Sequence, residues 1–158
     1  MVRRILPLML VLAVSSSAAV ASPAAGPSDP EVAATDASPI TVAVTVIHAK
    51  EARGAVDPQL AGLARYLTKS FPKHHEFRRL DTANARLVLG GETRLTLPNQ
   101  AQLGCRYEAR EGQFIALHLE VGGLKTTVHV KDGGTFFQAG RAYEGGMIVL
   151  AFEVKSSK

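Results

Sequence analysis

The chain has 158 residues, 46% of them hydrophobic and 20% charged, with 18 Lys and Arg against 14 Asp and Glu. That length suits about one domain, and the composition excludes a mostly disordered chain, a collagen-like repeat and a coiled coil. A single cysteine excludes a disulfide framework and any zinc site built on several thiolates.

The N-terminus reads as an address. Arg3 and Arg4 give a short positive region, an apolar run follows from Ile5 to Val14, and Ala19-Val20-Ala21 fits the small-residue pattern cut by signal peptidase. The apolar run is far shorter than the roughly 20 residues a bilayer requires. Residues 1–21 are therefore expected to be a cleaved signal peptide, which leaves no membrane span and directs the chain to the periplasm or the medium. Residues 22–38 hold three acids, three prolines and no bases, Leu, Ile or aromatics. Such a segment cannot bury enough apolar surface to offset its chain entropy, and is expected to be a disordered linker. Residues 39–158 then form a single domain with 16 Lys and Arg against 11 Asp and Glu, a net of +5.

The first element of that domain alternates: Ile40, Val42, Val44 and Val46 fall on one face, and their β-branching predicts a strand. His48 ends that row, where it suits a hydrogen-bonded packing residue better than a ligand. A helix is expected over 58–71. Asp57 can accept from first-turn amides, Pro58 suits the first helical position, and Leu60, Leu63, Ala64, Leu67 and Phe71 make one apolar stripe to be laid against a sheet. Period-two patterning then takes over. A short polar strand is expected over 76–82, and a second segment over 87–97 is interrupted by Gly90-Gly91, as a bulge or a tight hairpin.

Three cleaner rows follow, with Leu103, Cys105 and Tyr107 facing inward, then Ile115, Leu117, Leu119 and Val121, then Leu124, Thr126, Val128 and Val130. Asp132-Gly133-Gly134 turns the chain into a short strand over 135–139 and a loop over 140–146. The last run, Met147 to Val154, is apolar on both faces and should be central in a sheet. The expected fold class is α+β: a largely antiparallel sheet or partly open sandwich, with one amphipathic helix packed on it.

The chemistry is bounded by what is missing. No G-x-S-x-G, H-E-x-x-H, G-x-x-x-x-G-K-[ST] or G-x-G-x-x-G occurs. Ser70 lies near His74 and His75, but a helix end followed by Pro72 is a poor place to fix a nucleophile against its base. Cys105 belongs to an inward row, where a thiol is packed and inert; a mixed disulfide with a partner is the functional rival. His118 and His129 both point outward from adjacent strands. A four-residue turn would set them opposite one another, whereas a two-residue turn would set Thr127 opposite His118. Two imidazoles make a weak site, and neither a metal nor a cofactor is expected.

The densest polar feature is Arg65, Lys69, Lys73, His74, His75, Arg78 and Arg79, with only Glu76 opposing. These seven are the candidate binding residues, suited to an anionic lipid, polysaccharide or protein surface. Aromatics are not interleaved with them, and the chain is exported, so nucleic acid is not an expected partner.

The stretch Val128-His129-Val130-Lys131-Asp132-Gly133-Gly134-Thr135-Phe136-Phe137-Gln138-Ala139-Gly140 resembles a strand, D-G, strand, G segment in the C-terminal β-domain of bacterial secretins. The pore strands and repeated N-terminal modules of that family are absent. The signal peptide, linker and single domain together resemble short exported bacterial envelope proteins of unknown function. Neither likeness assigns a catalytic or ligand residue. The expectation is a non-enzymatic envelope module that binds another protein or an anionic surface. Its rivals are a small-ligand or carbohydrate-binding domain with a site between helix and sheet, and a hydrolase using Asp57, Asp81 or Glu92 with a histidine.

Overall fold

The computed structural model describes residues 38–157. The expected signal peptide and all but the last residue of the expected linker lie outside the described residues. In chain order the elements are Ile40–Lys50 (β1), a 3-10 turn at Pro58–Leu60, Ala64–Ser70 (α1), Glu76–Leu87 (β2), Glu92–Thr96 (β3), Gln102–Glu111 (β4), Phe114–Val121 (β5), Leu124–Lys131 (β6), Gly134–Tyr143 (β7) and Gly146–Ser156 (β8). Strands take 63% of these residues and helix 8%, so the fold is β-rich and sandwich-like.

Every pairing between strands is antiparallel, in two four-stranded sheets ordered β2-β1-β8-β7 and β3-β4-β5-β6. The second sheet is a simple meander. The first is not, because β1 is inserted between β2 and the C-terminal strand. Ile40, Val42, Val44 and Val46 of β1 meet Ile148, Leu150, Phe152 and Val154 of β8, and pack against Leu103, Cys105, Tyr107, Ile115, Leu117 and Leu119 from the meander. Burying each large side chain of such a cluster contributes about 1.5–3 kcal/mol. β8 is central and apolar on both faces, as its sequence requires: Val149 and Ala151 turn away from the other sheet, into a second cluster with Ile47, Ala49, Phe77, Leu60 and Leu67.

The helix is shorter than its stripe suggests. Asp57 caps the 3-10 turn by accepting from the Gln59 amide at 2.9 Å, but α1 begins only at Ala64. Gly62, a poor helix former, lies in the break. The stripe survives the break, since Leu60 and Leu67 are both buried on the outer face of the first sheet and Leu63 and Phe71 pack beside them.

Two boundaries move for one reason: pairing partners extend strands that look too polar or too irregular alone. β2 runs to Leu87 rather than 82 because it pairs along the whole of β1, accommodating Leu80 as an extra residue at a bulge. β7 runs to Tyr143 through a bulge at Gly140, which adopts φ +123°, so the expected loop over 140–146 shrinks to a turn. Gly90-Gly91 forms neither a bulge nor a hairpin. The Gly90 amide donates to the Tyr107 carbonyl and the Tyr107 amide to the Gly91 carbonyl, and this corner carries the chain from one sheet to the other.

Asp132-Gly133 is likewise a corner and not a hairpin, since β6 and β7 belong to different sheets. Here the two sheets are clasped. The Asp132 carboxylate accepts from the Ser156 amide at 2.7 Å, from Arg110 Nη2 at 3.0 Å and from the Ser156 hydroxyl. Arg110 Nη1 also donates to Ser156 Oγ at 2.6 Å, and its Nε to the Gly112 carbonyl at 3.1 Å.

Candidate functional site

The seven bases singled out by sequence sit on α1, the following loop and the start of β2, which is an edge strand. Arg65 and Lys69 are exposed on the helix back, and Lys73, His75, Arg78 and Arg79 are exposed beyond it. His74 is half-buried, edge-on to Phe71 with ring centroids 6.3 Å apart, and its Nδ1 is buried without a hydrogen-bond partner. Opposite residues of an antiparallel pair share a face, so Arg79, opposite Ile47, projects on the helix side, whereas Arg78, opposite His48, projects on the other. The structure thus divides the expected patch: Arg65, Lys69 and Arg79 belong to the helical side and Arg78 does not.

Strand pairing adds two bases to this end of the molecule that linear reading did not associate with it. Lys50 lies opposite Glu76, with its carbonyl accepting from the His75 amide at 2.9 Å, and Arg53 follows β1 in the exposed connection. Among the described residues none of the seven bases forms an ion pair.

The carboxylates considered for a hydrolase are dispersed. Asp57 caps the 3-10 turn and accepts from the Arg79 amide, Asp81 accepts from the Thr82 amide, and Glu92 lies in the other sheet, paired with Arg94 at 2.7 Å. His48 is a packing residue. Its Nε2–H donates to the Tyr143 carbonyl at 3.0 Å, and its ring stands edge-on to Tyr143.

Cys105 is buried, and that burial pushes its thiol up to about 12. The native protein is expected to resist a thiol-directed disulfide reagent at pH 8 and to react fully once unfolded in urea, as followed by absorbance. Fast labelling of the native protein would show that the thiol is accessible.

A second polar surface was not picked out by sequence. On the outer face of the meander, cross-strand pairing lines up Glu92, Arg106, His118 and Thr127 in one row, and Arg94, Gly104, Glu120 and Lys125 in the next. The two-residue turn at Gly122-Gly123 sets Thr127 opposite His118, so His118 and His129 do not face each other. A bulge in β4 sets Glu108 out of register and brings it into this surface. Its carboxylate accepts from Arg106 at 2.9 Å and from the Thr127 hydroxyl at 3.2 Å, and lies 3.8 Å from His118 Nδ1. The Arg106 hydrogen bond holds the Glu108 carboxyl below the usual carboxylate range. Lys125 meets Glu120 at 3.6 Å. Over Gly104 the surface sinks into two adjoining hollows of about 410 and 230 Å³, which share Glu92, Arg94, Gly104 and Glu120.

Comparison with protein-family models, with curated proteins and with solved structures finds no match to this chain.

Proposed function

We propose that this chain is an exported, non-enzymatic binding module of the bacterial envelope, whose amphipathic helix and basic edge meet an anionic envelope surface or an acidic protein face. What supports this reading is a contrast in how charge is compensated. On the meander, Arg94, Arg106 and Lys125 each hold an acid within 4 Å. On the helical side, Arg65, Lys69, Lys73 and Arg79 hold none, so their field reaches solvent uncancelled by a contacting carboxylate. A base near an anionic surface contributes about 1 kcal/mol. Several on one side make a usable attraction without a pocket.

Vesicle sedimentation tests it. Binding is expected to phosphatidylglycerol-containing vesicles and not to pure phosphatidylcholine, and to fade as salt shortens the Debye length from about 10 Å at 0.1 M to about 3 Å at 1 M. Lys69→Glu with Arg79→Glu should weaken it by at least about tenfold, on the scale of 1 kcal/mol per base. Equal binding to both vesicle types, or a double variant that binds like the parent, would overturn the lipid reading and leave an acidic protein face as the target for crosslinking.

A further inference from the structure

Four glycines lie within strands of the described chain: Gly104, Gly134, Gly140 and Gly146. Three are required by the backbone. Gly140 has a positive φ of +123°, and a Cβ at Gly134 or Gly146 would stand 2.7 or 2.3 Å from a carbonyl oxygen. Gly104 has neither reason. Its φ lies outside the left-handed region, and a Cβ there would meet its nearest neighbour, the Glu120 Cβ, at an ordinary 3.7 Å. Glycine in a strand interior weakens it, and often marks a place where a ligand approaches the backbone closely. The fold does not explain Gly104, and Gly104 floors the hollows on the meander's outer face.

The walls define what fits. Arg94 on β3 and Glu120 on β5 flank Gly104 from either side, and two strand spacings put their backbones about 10 Å apart, the width of a sugar ring with its substituents. An anion entering here meets Glu92 and Glu120, and a cation meets Arg94, Arg106 and Lys125. Each base already has its carboxylate partner, so an ion gains little by displacing one. A hydroxyl both donates and accepts, so vicinal hydroxyls can join a carboxylate to a guanidinium while leaving their pairing intact.

We infer that the hollow over Gly104 binds a neutral, hydroxyl-rich ring, a saccharide unit, against the bare backbone of β4. The site is independent of the basic helical side and stands on different residues from it.

The test is an amide NMR titration of the full chain with maltotriose and triacetylchitotriose as neutral saccharides, and with inorganic phosphate and ethylammonium as anion and cation. Saturable shifts are expected with at least one saccharide, confined to residues 92–94, 102–106 and 118–125, and absent with both ions. Gly104→Thr should weaken saccharide binding by at least about tenfold, while its melting temperature stays level or rises, because a β-branched residue suits a strand with room for it. Arg94→Gln, at a side chain 77% exposed, should also weaken binding and leave melting unchanged. No shifts with either saccharide, shifts with an ion alone, or undiminished binding by Gly104→Thr would each overturn the site. So would a clear fall in the melting temperature of Gly104→Thr, since the glycine would then serve the fold.

Discussion

Replacing Phe152 by Ala is expected to lower stability by about 3–5 kcal/mol, the usual loss for a fully buried phenylalanine. Phe152 is inaccessible to solvent, in the middle of β8, where it is opposite Val44 on one side and Phe136 on the other. Its ring stacks on Phe136 with centroids 4.7 Å apart and planes within 1°. Truncation removes that stack and opens a void between two sheets whose backbones are held apart by neighbouring pairs and cannot collapse into it. A domain of this size has a net stability of roughly 5–15 kcal/mol, so the variant loses a large share of the whole. Urea denaturation should show a lower midpoint with an unchanged slope. Phe136→Ala, at a residue only partly buried, should lose less. A loss under about 1.5 kcal/mol for Phe152→Ala would mean that this part of the sandwich repacks freely.

The clasp at the C-terminal end of β8 should make stability depend on acid. The Ser156 hydroxyl and amide, followed by Arg110, hold the Asp132 carboxyl below the usual carboxylate range. A carboxyl whose pKa is depressed by folding contributes stability that is complete above its unfolded value of about 4. That contribution is lost as pH falls through the lower folded value, because the unfolded chain then binds the proton more readily. Asp132→Ala should remove the contribution at neutral pH, together with the hydrogen bonds that the carboxylate accepts from Ser156 and Arg110. The Asp132 side chain is 28% exposed, so the loss should be about 1–3 kcal/mol, the scale of hydrogen bonds to a charged group and below that of a buried ion pair. Asp132→Asn keeps the shape and an acceptor for the Ser156 amide, and should lose less. Both variants should show a flatter decline in unfolding midpoint between pH 5 and pH 2 than the parent, since the group that titrates is gone. Parallel pH profiles for parent and variants would place the acid sensitivity elsewhere.

Much of the architecture was legible from period alone. The alternation of Ile40 to Val46, the inward row Leu103, Cys105 and Tyr107, and the two-faced apolar run of β8 each state how a strand divides its environment. The structure places them as those patterns require. The apolar stripe Leu60 to Phe71 likewise reports which side is covered, even though the helix that carries it is broken at Gly62. The candidate basic residues were legible as composition, but not as a surface. Whether Arg78 and Arg79 point together depends on strand alternation within a pairing, and the bulge at Leu80 that sets their register on β1 has no local signal.

The hollow over Gly104 shows the same limit from the other side. A lone glycine inside an otherwise regular alternation was visible in the sequence. Its meaning depends on Arg94, Glu120 and Lys125, which neighbouring strands bring beside it from as many as 21 positions away along the chain.

The order of residues by itself determined where most strands begin, where the apolar helical stripe lies and, apart from Leu124, which is 53% exposed at the start of its expected inward row, which side of the cleaner rows avoids water, because those follow from side-chain period, a property of a short segment. Tertiary structure alone decided that β1 enters between β2 and β8, that Gly90-Gly91 and Asp132-Gly133 turn corners between sheets, and which charges face one another. Those outcomes depend on backbone hydrogen bonds between distant segments, and every strand offers the same donors and acceptors whatever its side chains.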